Sequence, residues 1–384
     1  MTTPETSRNA PKLVSLDILR ACAAILVMLK HARTHLFVAF GALPPEQHTI
    51  VASAFYLFTR LAREAVLVFF VLSGFLVGGQ VIRRMRDGRF NVREYAIDRT
   101  ARILLPLAPA ALFAAIVGRV WHGARFDLVQ VAGNILGLNG VLVDTLPFNG
   151  PLWSLAYEIW FYVIAGVVAT ICARKGGRFS LFISFAAVLV FCRLDAYLIL
   201  IWLLGALIST TEVPKWRGAL AALGLIVLLI GSVILQMSPS SVTLTGEGLA
   251  STAVAAGVFA VGFSMTLPWL ISPSLNYALA RWTGVARVFS FLAGMSYTLY
   301  LFHYPLLNIV NLYVRSGPLS LYSICVYMGS VALCFGGAVI MYWLFERNTE
   351  AVRRWAKRLK INVPAFRTGR GEPHTRDHLS EGQR

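Results

Sequence analysis

From residue 13 to residue 345 the chain is a succession of apolar runs, roughly 15 to 27 residues long, parted by short polar connections. A helix needs about 20 apolar residues to cross a hydrocarbon core of about 30 Å, and in lipid its backbone satisfies its own hydrogen bonds. Runs of this kind therefore read as membrane spans. Ten are expected, at 13–38, 65–82, 103–121, 151–173, 179–193, 195–211, 218–236, 251–272, 289–311 and 319–345. The fifth and sixth are short, and the CRLD step between them is either a tight outer turn or a break in one bent hairpin. Composition agrees, with 57% hydrophobic and only 14% charged residues, more apolar than a soluble core requires.

A net charge of +17 raises the question of nucleic acid, and placement answers it. Of the 35 lysines and arginines, 26 fall in alternate connections: 1–12, 83–102, 174–178, 213–217, 273–288 and 347–384. The opposite connections hold Arg60, Arg63, Arg125, Arg193 and Arg315. This is the positive-inside pattern, and it places both termini in the cytoplasm. The expected fold is an all-α, polytopic transmembrane bundle of about ten spans, and no nucleic-acid partner is needed to explain the charge. Residues 1–346 read as one integral-membrane domain and 347–384 as a basic, largely disordered cytoplasmic tail. The short polar N-terminus reads as a retained signal anchor. Cys22, Cys172, Cys192, Cys325 and Cys334 sit singly in apolar runs and are expected to pack, not to form disulfides.

An ionisable side chain at mid-bilayer costs at least about 2.5–3.5 kcal/mol and marks function by default. Those that stand away from the expected span ends are Asp17, Arg20 and His31 in the first span, Glu158 in the fourth and His303 in the ninth. Eleven residues separate Arg20 from His31, which puts them on one helix face about 16 Å apart along the axis. Two readings compete for this helix. Either the face carries a working cation and imidazole, or Asp17 pairs with Arg20 while His31 belongs to a polar interface with Lys30, Arg33 and His35. His303 stands two residues before Pro305, which frees a backbone carbonyl, so a structural hydrogen bond competes with a substrate role. Ser73 in LSGF reads as a small packing residue. The histidines and acids show no clustered ligand spacing, and no metal is expected.

Five stretches together carry a resemblance: LDILR with His31 eleven residues beyond Arg20, FFVLSGFLVGG at 69–79, DRTARILLP at 98–106, NGPLWSLAYEIWFY at 149–162 and SYTLYLFHYPLL at 296–307. In this order they resemble the membrane-bound acyltransferase family 3, whose members O-acylate extracytoplasmic glycans, lipid-linked sugars and some small molecules. LFERNTE at 344–350 stands where the family more often ends in Glu, a basic residue and proline. The resemblance implies an acyl-CoA donor, most commonly acetyl-CoA, taken from the cytoplasm, and an acceptor hydroxyl at the outer face. It implies an integral protein of a bacterial cytoplasmic membrane, with membrane lipids around it. The paired Arg99 and Arg102 match the family's basic motif and would hold donor phosphates; Arg20, supported by Asp17, would bind the donor's polar arm with them or orient the catalytic site. His31 would be the general base for the acceptor hydroxyl or a transient acyl carrier. Glu158 would orient His31 or bind acceptor hydroxyls, with Trp153, Tyr157 and His303 as substrate contacts. The alternative from another class is a secondary transporter or lipid or glycan flippase, because intramembrane charges also mark substrate pathways.

Overall fold

In a computed structural model of the chain, residues 13–173, 177–238 and 249–359 are described; among them the fold is all-helical, without a strand. The first apolar run is α1 (Val14–Leu36). A short apolar helix, α2 (Ile50–Phe58), precedes the second run, which is built from α3 (Ala62–Ser73), a π-helical turn at Gly74–Gly78 and α4 (Gly79–Arg86). The third is α5 (Val92–Trp121), followed by the short α6 (Leu128–Ile135). A 3₁₀ segment at Pro147–Leu152 leads into α7 (Trp153–Cys172). Then come α8 (Arg178–Phe191), α9 (Tyr197–Ile208), α10 (Arg217–Met237) and α11 (Leu249–Leu270). After α12 (Pro273–Arg281), the ninth run divides into α13 (Thr283–Gly294) and α14 (Ser296–Tyr313), bent by 60°. The last run is α15 (Leu321–Leu344).

All ten apolar runs are thus helical, but they differ in how they could meet a membrane. Among the described residues six helical stretches are long and apolar enough to cross one, or seven with α13 and α14 counted as one broken span. At 1.5 Å per residue α8 and α9 reach only about 21 and 18 Å. The polar step between them is a turn, and Asp195 in it is held by Tyr157 from α7. α1 is long enough, but it carries Asp17, Arg20, Lys30 and Arg33.

Those charges explain where α1 sits: it packs against α3, α13, α14 and α15, at the centre of the bundle. The outer surface is apolar instead. On α10 the side chains of Leu223, Ile226, Ile230 and Val233 are exposed, as suits a helix that meets lipid tails. Glycines bring backbones together where helices cross. A Cβ on Gly74 would stand 1.8 Å from the Trp202 carbonyl oxygen, and one on Gly205 2.1 Å from that of Val71, so α3 and α9 touch backbone to backbone. Gly74→Ala is expected to cost about 1–3 kcal/mol or more through overpacking. Its melting temperature in detergent should fall; an unchanged value would mean that α9 can move aside.

Two expectations need correction. Of the cysteines expected to pack, Cys334 alone is buried, and Cys22, Cys172, Cys192 and Cys325 are exposed. A thiol is apolar enough to sit on an outward face of a membrane helix without a packing role. The tail expected from residue 347 also starts too early. After a 3₁₀ turn at Glu346–Asn348, Thr349–Arg358 form a helix, α16, that packs on α5. Charge holds it there: Asp98 of α5 meets Arg353 at 3.0 Å and Lys357 at 2.9 Å. The expected signal anchor at 1–12 and the expected disorder at 362–384 lie outside the described residues.

Candidate functional site

A cavity of about 560 Å³ opens between α1, α3, α5, α7, α14 and the α15–α16 corner. That volume lies within the roughly 300–1,000 Å³ typical of small-molecule and cofactor sites. One part of its lining is basic, with Arg20, Arg99, Arg102, Arg347 and Arg353 interspersed with Asp98, Glu346 and Glu350. Another is aromatic and hydroxylic, with Phe69, Ser73, Ser154, Tyr162, Tyr297 and Tyr300 around Glu158.

The arginines are not equivalent. Arg102 forms an ion pair at 2.8 Å with Glu346, whose side chain is 1% exposed. Glu346 Oε2 also accepts from the Thr298 backbone N–H at 3.1 Å and from its hydroxyl at 2.6 Å, which occupies the free N–H groups that open α14. Arg102 therefore neutralises a buried acid at a helix N-terminus. Arg353 is engaged by Asp98 and by Glu350. Arg20 and Arg99 have no carboxylate within ion-pair distance among the described residues. Arg20 Nη2 donates to Ser296 Oγ at 3.5 Å, and the Arg99 guanidinium lies 5.7 Å from the Tyr162 ring centre with its Nε buried and unpaired. Two guanidiniums thus face the cavity ready for an anion.

Glu158 ends a chain of hydrogen bonds that crosses three helices. Trp202 Nε1 donates to Ser73 Oγ (3.1 Å), Ser73 and Tyr162 share a hydroxyl contact (3.0 Å), and Tyr162 donates to Glu158 Oε1 (2.5 Å). Beside it, Tyr300 donates to the Pro151 carbonyl (2.9 Å) and meets Ser154 Oγ at 2.7 Å. Tyr300 marks the way to the histidines. Its ring centre is 5.9 Å from that of His303, which is 5.3 Å from that of His31; Tyr304 packs edge-on against His31 at 5.0 Å. His303 is fully buried, with Nδ1 3.0 Å from the Leu299 carbonyl and Nε2 unpaired. Pro305 cannot donate to the Leu301 carbonyl, and the buried Asn149 side chain does so instead at 2.9 Å. NGP and HYP, far apart in sequence, are thereby fastened together.

The family model for acyltransferase family 3, described as an acyltransferase domain, matches residues 13–343. The chain belongs to this family. No curated protein and no solved structure matches it. As a family 3 member with span-length apolar helices it is a membrane acyltransferase.

In this acyltransferase the residues expected from sequence fall into three groups. Arg20, Arg99, Arg102 and Glu158 line one cavity, although they come from α1, α5 and α7. His31 and His303 lie together behind Tyr300 and do not line it. Trp153 and Tyr157 stand apart from both. Trp153 is 43% exposed, and Tyr157 is turned toward the α8–α9 connection, where its hydroxyl donates to Asp195 Oδ2 (3.3 Å) and accepts from its backbone N–H (3.1 Å). A buried phenol finds a partner where one is available, and for Tyr157 that partner lies away from the cavity. Asp17 accepts from Ser290 Oγ (2.8 Å), next to the bend where Arg20 meets Ser296. Glu158 accepts from Tyr162, not from His31. The carbonyl freed by Pro305 is taken by Asn149, not by His303, whose ring meets the Leu299 carbonyl one turn back and keeps its other nitrogen unpaired. Ser73, expected only to pack, joins Trp202 to Tyr162; the adjacent Gly74 does the close packing.

Sequence reasoning passed over Tyr162, Tyr297, Tyr300 and Glu346. Tyr162 stands four residues after Glu158, a helical spacing that could have flagged it. Glu346 was visible as the acid in LFERNTE. Tyrosine in an apolar run carries no such signal, so Tyr297 and Tyr300 emerge only from the packing of α14 against α5 and α7. Among the described residues no group of three or more His, Cys, Asp or Glu side chains could hold a metal ion.

Proposed function

We propose that the protein transfers an acyl group, acetyl in the commonest family pattern, from cytoplasmic acyl-CoA to a hydroxyl of an extracytoplasmic glycan or lipid-linked sugar. The protein then lies in a bacterial cytoplasmic membrane with ten spans and both termini inside, as the loop charges favour. The observation that carries this reading is the cavity in which Arg20 and Arg99 lack carboxylate partners and which leads to Tyr300 beside the His303–His31 pair. Phosphates of the donor are matched by the guanidiniums, and its thioester arm by the aromatic lining.

At the outer end His31 serves the transfer in one of two ways. As general base it takes the acceptor proton while the hydroxyl oxygen bonds to the thioester carbonyl carbon; collapse of that adduct breaks the C–S bond and releases the CoA thiolate, which takes up the proton. As carrier, its ring nitrogen attacks the thioester carbonyl carbon and the C–S bond breaks to release CoA; the acceptor hydroxyl oxygen then bonds to that carbon, the C–N bond breaks, and the hydroxyl proton passes to the freed imidazole. Acid quenching during turnover separates the two by whether an acylated chain accumulates. The acceptor is tested by mass spectrometry of surface glycans and lipids from cells with and without the gene. A lost acyl mass is expected, and an unchanged profile of both fractions would remove the glycan and lipid acceptors.

A further inference from the structure

The basic end of the cavity is completed by residues beyond the 13–343 that the family model matches: Glu346, Arg347, Thr349, Glu350 and Arg353 all line it. They belong to the corner after α15 and to α16, a helix of ten residues, too short to hold its shape without tertiary contacts. Its position depends on Asp98, which stands one residue before Arg99 on α5 and is 5% exposed. Two cations meet this one carboxylate oxygen: Arg353 Nε at 3.0 Å and Lys357 Nζ at 2.9 Å.

That arrangement is redundant in a useful way. If Arg353 let go of Asp98, Lys357 would still neutralise it, so Arg353 can turn to another anion without leaving a buried charge unpaired. Arg102 has no such freedom, because Glu346 has no second cation within ion-pair distance among the described residues. Of the arginines already engaged, Arg353 is therefore the one built to change partner. We infer that α16 is part of the donor site, and that Arg353 exchanges Asp98 for a phosphate oxygen of the donor while Lys357 holds the carboxylate. This rests on the acyl-CoA reading above.

The test is CoA binding by the full-length protein in nanodiscs, measured by titration calorimetry. Arg353→Gln is expected to weaken binding by about ten-fold, the scale of one charge-assisted hydrogen bond, and Arg353→Lys to restore part of it. Lys357→Gln should weaken it as well, because Asp98 then competes for Arg353. Asp98→Asn should bind CoA at least as tightly as the wild type, and Asp98→Asn with Lys357→Gln should recover what the lysine change lost. Arg354→Gln, on the exposed side of α16, should have no effect. If α16 were only a structural prop, Asp98→Asn would break both its ion pairs and weaken binding as much as Arg353→Gln; that result overturns the exchange. So does wild-type affinity in Arg353→Gln. Absence of CoA binding in the wild type overturns the donor reading itself and this inference with it.

Discussion

His31→Ala is expected to bind CoA as the wild type does and to lose acyl transfer by a factor of about 10² to 10⁴, the usual contribution of a positioned general base. The separation of the two effects follows from the geometry. His31 does not line the cavity and stands beyond Tyr300 and His303, so its removal leaves the donor's surroundings intact. Transfer would be followed with isotopically labelled acyl-CoA and purified protein in nanodiscs, with calorimetry for binding. Wild-type transfer by the variant would take His31 out of the reaction. His303→Ala makes an instructive comparison. That ring is fully buried, so its loss leaves a cavity, and the melting temperature should fall together with activity.

Arg102→Ala and Arg99→Ala are expected to fail in different ways, although the two residues belong to one sequence motif. Without Arg102 the nearly inaccessible Glu346 carboxylate keeps only Thr298, and an uncompensated buried charge costs about 3–5 kcal/mol. The low end of that range applies, because Arg102 is 35% exposed and water can partly replace it. Melting in detergent should drop accordingly, and Glu346→Gln in the same protein should restore most of the loss. Arg99→Ala should melt nearly as the wild type does and lose CoA affinity, since no carboxylate depends on it among the described residues. Equal melting temperatures for the two single variants would refute this division of labour.

The helices were legible because bilayer thickness imposes a length on apolar runs, and all ten such runs are helical here. What the runs do not encode is a break inside them. The π turn at Gly74–Gly78 and the 60° bend between α13 and α14 arise where neighbouring helices approach, and only a glycine or two hints at them. The helices α2, α6, α12 and α16 were not anticipated, since each is too short or too polar for a span. At the site, charge was the readable signal. Arg20, Arg99, Arg102 and Glu158 announce themselves because a membrane helix needs a reason to hold them. Which arginine is tied up was not readable, for that depends on Glu346 arriving from the far end of the chain. Tyr157 and Tyr162 show the same limit from the other side. They are five residues apart on α7, yet one is fastened to Asp195 and the other to Glu158, and only the neighbouring helices distinguish them.

The central place of α1 has a consequence for when the protein becomes complete. Ser15 bonds to the Leu270 carbonyl and to Asn276, Asp17 to Ser290, and Arg20 to Ser296, partners that lie 255 to 276 residues further along the chain. At about 5–20 residues per second, a ribosome needs on the order of tens of seconds to supply them. Through that interval α1 has none of these contacts and must be sheltered by the insertion machinery or held at the headgroup level. A chain interrupted before α14 contains Arg20 and His31 but lacks Tyr297, Tyr300 and His303, which complete their surroundings.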